Sequence, residues 1–594
     1  MPGLQELIHK WDVGEGTKII KKAALGLALL TLVIWYDFHE YKNFTCAEAM
    51  DAAQVARNLS EGRGFTTECI RPFSLYLIKQ QHPDEPKLLQ EDYPDLTNPP
   101  LYPLLLAGLM KLPVFNYSLQ NTDWRFQPEL LIMVFNQLWF LAAILLAFFL
   151  TKRLFDASVA WLTAGVMIGS DLLWRFSVSG LSTLMLMVIG LGVTWCLVRI
   201  EQGTREDNRS PRWFILWAVA VGALVGLGAL TRYSFAWMIL PVVAFLALYT
   251  GPRRASTIIA AIIAFLVVMS PWLIRNYQLS GTLFGTAGFA AMQDTPRLPG
   301  NTLERLLKPD FNQLHQTGFS DYLRKLLVNT SQVFQNDLPR FGGTWLSAFF
   351  LVGLLVPFNN PTLGRLRLFL LASIGLMVGV QALGRTHLST DIPEINSENL
   401  LVLFTPLVFA FGACLFFLLL DRLELPLPQL RQWLSTAAGL LACAPLLFTL
   451  LPPRSYAMAY PPYHPWLVQH LGGWYKEKEL IMSDMPWAMA WYGHRPCVWL
   501  TLDYKNDFYA INDFIRPVNA LYITQLTMDT RFQSQFVEQT KTAPWGRFIL
   551  EVLLKHSVPT GFPLKNAWSN VLPDQIFLTD WERWNSPIAG IGKK

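Results

Sequence analysis

LLIMVFNQLWFLAAILLAFFLT, residues 130–151, is the clearest statement of architecture in the chain. The run carries no charge. At 1.5 Å per residue its helix is about 33 Å long, enough to cross a hydrocarbon core of about 30 Å. Lys152 and Arg153 follow at once, as at the cytoplasmic end of a span. On either side, comparable runs lie at about 22–38, 157–174, 177–198, 213–230, 234–250, 256–274, 344–358, 368–384, 400–420 and 433–451. The sequence therefore predicts an α-helical polytopic membrane protein with about eleven transmembrane helices. Its 594 residues are 52% hydrophobic and only 15% charged, whereas soluble domains average about 25% charged. The first run follows Lys10, Lys18, Lys21 and Lys22 without an obvious small-residue cleavage site, and reads as an uncleaved span.

The basic residues set the orientation. With the N-terminus in the cytoplasm, the short loops on that side hold Lys152 and Arg153; Arg199, Arg205, Arg209 and Arg212; Arg253 and Arg254; Arg365 and Arg367; Arg422 and Arg431. That is the positive-inside pattern. An odd number of crossings leaves the C-terminus outside. Residues 1–451 then form a transmembrane module with large outer loops at 39–129 and 275–343, and 452–594 form an extracytoplasmic domain. The net charge of +5 is spread over these loops and gives no nucleic-acid signal. Cys196, Cys414 and Cys443 fall in spans and read as packing residues. Cys46 and Cys69 share the first outer segment, where a disulfide between them is open; Cys497 has no evident partner.

Two motifs lie in the first outer segment. CAEAMDAAQVARNLSEG, 46–62, reads as a helix stopped by Gly62 and Gly64, with Thr45 as N-cap and Glu48 at capping-box spacing. Glu48 is either that cap or a carboxylate serving a site at the membrane surface. Asp51 lies on nearly the same helix face. DLTNPPLYPLLLAGLMKL, 95–112, starts rigidly at Asn98-Pro99-Pro100 and reads as an interfacial helix, with Tyr93 and Tyr102 at headgroup depth. The tail reads as strand, helix, strand over 479–500 with a further strand at 520–524, hence a small α/β domain. Its Trp487, Trp491, Tyr492 and Trp499 suit either sugar stacking or a small core.

These residues carry a resemblance. EAMDAAQVARNLSEGRGF (48–65), NPPLYPLLLAGLMKL (98–112), PWLIRNYQLSGTLFG (271–285) and SDMPWAMAWYGHRPCVWL (483–500) resemble, in order, motifs of membrane glycosyltransferases of the C-type fold. More narrowly they resemble bacterial members of the dolichyl-phosphate-mannose protein mannosyltransferase and aminoarabinose transferase superfamily. The resemblance implies a bacterial inner-membrane enzyme with a periplasmic C-terminal domain. It implies a polyprenyl-phosphate sugar donor, a protein, lipid or glycan acceptor, and contact with membrane lipids. Aligned on Ala56-Arg57-Asn58, Glu48 falls where relatives keep a catalytic Asp. Ala49 replaces their second acid, Gln54 a later Glu, and Asn98 a Lys or His of some relatives.

The chemistry fits these residue types. No GxxxxGK[ST] and no GxGxxG after a strand appears, so the sugar must arrive on a lipid. Transfer to a hydroxyl needs a carboxylate to take its proton, for which Glu48 is first choice and Asp51 the rival. It also needs cations for the departing phosphate: Arg232, Arg275, Arg57 and Arg71 are the candidates, each equally readable as an interface-anchoring Arg. Asn98, Tyr102 and Glu398 are candidates for acceptor or donor contact. His387, Asp391, Glu394 and Glu398 crowd one short outer loop, but their spacing fits no standard metal pattern. The residues point to no definite cofactor, and a divalent cation is the one candidate. Arg175 and Asp171 read as an ion pair one helical turn apart. The alternatives are a lipid or polysaccharide transporter or flippase, and an inactive structural relative. Nearly charge-free spans without a convincing repeat disfavour transport.

Overall fold

The computed structural model describes residues 15–83, 92–120, 125–205, 209–309, 318–338, 345–356, 360–388, 395–423, 428–452, 463–502, 504–527, 544–555, 557–572 and 575–585. In chain order, α1 (Glu15–Glu40) leads into the outer helix α2 (Ala47–Ser60) and strand β1 (Cys69–Ile70). The short α3 (Leu101–Met110) precedes α4 (Gln127–Leu154), α5 (Ala157–Ile168), α6 (Asp171–Val178), α7 (Thr183–Arg205) and α8 (Pro211–Thr231). Then follow α9 (Ile239–Tyr249), α10 (Arg254–Ser280), the outer α11 (Phe319–Gln332), α12 (Pro361–Gly384) and α13 (Thr405–Arg422).

Seven helices among the described residues are long and apolar enough to cross a membrane: Lys22–Glu40, Gln127–Leu154, Thr183–Arg205, Pro211–Thr231, Gly251–Ser280, Pro361–Gly384 and Leu401–Arg422. All seven coincide with expected spans; the other four of the eleven expected runs form bent, broken or shorter apolar helices among the described residues. An eighth arises if α5 and α6, bent by 54° at the break, count as one broken span. The expected span 234–250 is a 3₁₀ turn followed by the 11-residue α9. The one at 344–358 yields only Trp345–Gly353. The one at 433–451 divides into Pro428–Ala442 and Ala444–Thr449 at Pro445, which lacks an N–H and collides with the preceding turn. Hydropathy saw the apolar runs but not these breaks.

Local chemistry fixes the ends of the helices. Asp156 caps α5 by accepting from the backbone N–H of Ser158 and Val159 at 2.7 and 2.9 Å. Asn360 caps α12 through Thr362 N–H at 3.0 Å. Helix α1 is peripheral, with Leu27, Leu30 and Ile34 exposed as on a lipid-facing surface. Helices α8 and α10 approach most closely at Gly222 and Gly226. A Cβ on Gly222 would lie 2.0 Å from the carbonyl oxygen of Ala261, so only hydrogen fits there. This seam carries two of the candidate cations: α8 ends next to Arg232, and Arg275 lies on α10. The one buried acid of α7, Glu201, is held by Arg365 at 2.8 Å and Arg205 at 3.0 Å, with the Thr362 hydroxyl donating at 2.7 Å. It staples α7 to α12.

The tail carries β2 (Leu480–Ser483), α14 (Pro486–Tyr492), β3 (Cys497–Trp499), β4 (Val518–Ile523), β5 (Asn566–Ala567) and β6 (Ile576–Thr579). The sheet order is β1-β3-β2-β4-β6-β5. The β1, β3, β2 and β4 neighbours run parallel, and β6 is antiparallel to both β4 and β5. Thus β1, from the first outer segment, is an edge strand of the tail's sheet, with Cys69 opposite Cys497. Cys69 forms no disulfide with either Cys46 or Cys497. A second joint lies at Glu129, at the start of α4. It accepts from Phe44 N–H at 2.7 Å and from the Trp491 indole at 2.8 Å. Trp491 and Tyr492 are fully buried against Phe126, so their core reading wins over sugar stacking. Trp487 and Trp499 are also buried and pack edge to face.

Candidate functional site

Helix α2 begins at Cys46, whose side chain makes no capping bond, and Thr45 is not the cap. Glu48 therefore has no capping duty. Its Oε1 instead accepts from the hydroxyl of Ser397 at 2.5 Å, and its Oε2 is buried with no hydrogen-bond partner among the described residues. The carbonyl of the same Ser397 accepts from Arg232 Nη1 at 2.6 Å. Arg232 leaves α8 in extended conformation, and its side chain reaches the loop before α13. Burial pulls its guanidinium below its ordinary range, opposed by the charges of Glu398 and Glu48.

Glu398 completes this group. It is buried and accepts from Thr386 three times: from the N–H at 3.1 and 3.2 Å and from the hydroxyl at 2.7 Å. Burial and then the neighbouring Glu48 push its carboxyl up to about 7, against the Thr386 bonds and Arg232. Nearby, Lys325 of α11 donates to the carbonyls of Ala290 and Gln293 at 3.0 and 2.5 Å, and burial lowers it to about 8. His387 lies against Trp499 with ring centres 5.6 Å apart, so the tail reaches this loop. Asp391 and Glu394 lie outside the described residues. Among the described residues, no three His, Cys, Asp or Glu side chains gather as a metal site would need.

The other candidates form a second cluster. Asp51 is buried and its Oδ2 takes a hydrogen bond of 2.8 Å from Arg71. Arg71 also faces Glu304 at 3.4 Å. Burial works against the Arg71 charge, but Asp51, Cys69 and Glu304 raise it well above its usual range. Asp95 stands within electrostatic reach. Burial and Asp51 raise it to about 6, while its carboxylate collects the N–H groups of Asn98 and Thr97 at 2.9 and 3.2 Å. Arg275 donates to the carbonyls of Asp95 and Phe65 at 2.9 and 3.1 Å and lies over the Trp272 ring at 4.4 Å. It clamps the first outer segment onto α10. Asn98 keeps a buried side-chain amide N without a partner among the described residues.

Two candidates stand apart from both clusters. Arg57 pairs with Glu61 at 2.9 Å and lies 4.0 Å over the Tyr117 ring. Tyr102 is buried, with its hydroxyl donating to the carbonyl of Gly180 at 2.7 Å. Of the residues singled out from the sequence, the fold thus gathers Glu48, Arg232 and Glu398 in one place, and Asp51, Arg71 and the Arg275 clamp in another. Sequence reasoning missed Ser397, Thr386, Lys325 and Asp95. Ser397 adjoins the charged loop already noticed, but a lone serine in a loop announces nothing.

Residues 98–274 match the family described as dolichyl-phosphate-mannose-protein mannosyltransferase. No curated protein sequence matches the chain. The oligosaccharyltransferase of Archaeoglobus fulgidus, in complex with Zn and sulfate, superimposes with a TM-score of 0.53 at 11% identity, over 88% of this chain and 70% of that one. ArnT from Cupriavidus metallidurans gives 0.45 at 13% identity in the apo state, over 95% of this chain and 100% of that one. Bound to undecaprenyl phosphate it gives 0.47 at 12% identity, over 96% and 100%. Arg232 lies inside the matched family segment; Glu48 and Glu398 lie outside it. The chain has the C-type fold of membrane glycosyltransferases, and within it residues 98–274 match the dolichyl-phosphate-mannose-protein mannosyltransferase family.

Proposed function

We propose that this chain transfers a sugar from a polyprenyl-phosphate donor to an acceptor hydroxyl at the outer face of the membrane, with inversion at the anomeric carbon. One observation carries the reading: Glu48 presents a buried carboxylate oxygen with no described partner, beside Arg232 at the end of a span. In this reading Glu48 Oε2 takes the proton of the acceptor hydroxyl as the new C–O bond forms and the anomeric carbon–phosphate bond breaks. A positioned general base of this kind is worth about 10²–10⁴ in rate. Arg232 spends one of its five N–H donors on Ser397, and the others remain to hold the departing phosphate. The matched family supports a lipid-phosphate sugar donor. The acceptor is a protein, lipid or glycan hydroxyl.

In the same reading the protein sits in a bacterial inner membrane, with the N-terminus cytoplasmic and the tail periplasmic. A divalent cation, if used, would find two described carboxylates here, Glu48 and Glu398, and would take its remaining ligands from donor phosphate and water. The two fully buried acids within the spans, Glu129 and Glu201, are tied to Trp491 and Arg365 as structural joints, which leaves neither of them to carry charge through a transporter.

Glu48→Gln tests the reading. It keeps size and hydrogen bonding and removes the base. The variant should fold, bind a polyprenyl phosphate and lose about 99% of turnover or more, since a general base is worth about 10²-fold at the least. Near-normal turnover would overturn the assignment of Glu48, and undiminished lipid movement across vesicles without sugar transfer would favour a flippase.

A further inference from the structure

The structure assigns to Ser397 the role of positioning Glu48 and Arg232 as one unit; this rests on the proposed role of Glu48. Ser397 is almost fully buried and acts in both directions. Its hydroxyl donates to Glu48 Oε1 at 2.5 Å, and its carbonyl accepts from Arg232 at 2.6 Å. A single residue therefore sets the distance between the carboxylate of an outer helix and the cation at the end of α8.

A serine in a loose loop could not do this. This loop is pinned at almost every residue. Asn396 donates its side-chain amide to Asp337 at 3.2 Å and accepts Glu398 N–H at 3.0 Å. Glu398 is held by Thr386. Leu400 N–H donates to Gln381 at 3.0 Å, and Leu401 N–H to Asn399 at 3.0 Å. The Ser397 hydroxyl thus arrives preorganised, with no rotamer search left to the reacting state.

The consequence is a division of labour between the two oxygens of Glu48. Oε1 is occupied by a donor that keeps its proton, so the carboxylate cannot rotate freely. Oε2 is left for the acceptor hydroxyl. Without the Ser397 hydroxyl, Arg232 would keep its bond to the Ser397 carbonyl, but Glu48 would be free to turn. Ser397 transfers no proton and touches no substrate; it acts only through Glu48 and Arg232.

The test uses full-length protein in vesicles with dolichyl-phosphate mannose as the donor probe. Ser397→Ala should lower kcat about 10- to 100-fold, leave the donor KM within about twofold and keep the melting temperature. Ser397→Thr, which retains the hydroxyl, should restore kcat to within about threefold. In a Glu48→Gln background Ser397→Ala should cost nothing further, because the two act as a unit. Independent losses that multiply, or Ser397→Ala with wild-type kcat, overturn the proposal. A second measurement needs neither donor nor turnover: a cryo-EM structure of Ser397→Ala, or of Ser397→Cys should the alanine variant fail to fold, must show Glu48 displaced from its present rotamer. Glu48 unmoved in that structure overturns the positioning role. Glu48→Gln with normal turnover would instead overturn the base assignment on which it rests.

Discussion

Arg71 and Asp51 meet at 2.8 Å in the interior of the first outer segment, one helical turn along α2 from Glu48. The two acids share a helix but differ in duty, since Asp51 neutralises a buried guanidinium while Glu48 turns to Ser397 and Arg232. Asp51→Asn should therefore act on stability. Breaking one side of a buried ion pair costs roughly 3–5 kcal/mol, partly relieved here by Glu304. Thermal unfolding in detergent should show the loss, and the surviving folded protein should turn over within about tenfold of wild type. Abolished turnover with an unchanged melting point would make Asp51 the base.

Arg232 and Arg275 are expected to separate in the same way. Arg275 has its donors on the carbonyls of Asp95 and Phe65 and its plane on Trp272, so Arg275→Ala should loosen the outer segment by about 1–3 kcal/mol. Arg232→Ala should reduce turnover about 10- to 100-fold with a smaller thermal effect. Arg232→Lys should not rescue it, since a point charge does not reproduce the planar fork. The reverse pattern would move the phosphate site to Arg275.

Glu398 predicts a pH dependence of stability. Its carboxyl is raised in the folded state to about 7, so the folded protein holds that proton more tightly than the unfolded chain. Its contribution is greatest below about pH 4.5 and is lost as pH rises through about 7. Glu398→Gln removes the ionisation. Its unfolding free energy should therefore gain on wild type between about pH 5 and 8, by at most about 1.4 kcal/mol for each pH unit of the titration. A constant difference across that range would refute the burial argument.

Gly222→Ala tests the seam between α8 and α10. Alanine favours a helix over glycine by up to about 1 kcal/mol. The added methyl would meet the Ala261 carbonyl at 2.0 Å, and overpacking costs about 1–3 kcal/mol. The clash should win, so the variant should unfold more easily. It should also lose activity, because Arg232 hangs from the end of α8.

Orientation is open to reporter fusions after residues 205, 253 and 594. The basic loops require cytoplasmic signals from the first two and an external signal from the last. A cytoplasmic signal at 594 would reverse the proposed placement of the tail.

The membrane module was legible because apolar length is a local property of the chain. Residues 130–151 announce a span without help from any neighbour. The breaks at Ser170 and Pro445 are local too, yet they are hidden inside runs that remain apolar throughout. The site was legible in part. Glu48, Arg232 and Glu398 carry charges where an apolar protein has few, so each drew notice singly. Their convergence depends on three segments meeting in space, and the joint between them is a neutral serine. The capping-box spacing at Thr45 and Glu48 misled because tertiary contact with Ser397 outcompeted a local bond. The tail's tryptophans left two readings open: a row of large aromatics suits a sugar or a core, and only burial decides.

The edge strand at Cys69 and Ile70 sets an order of assembly. Its partner, Cys497–Trp499, is made more than 400 residues later, after every candidate span among the described residues has been synthesised. The segment carrying Glu48 must therefore stay incompletely paired until the strand Cys497–Trp499 reaches the same side. Contacts of such long sequence separation form slowly. A chain released before residue 497 would hold its apolar helices but leave the strand at Cys69 and Ile70 unpaired.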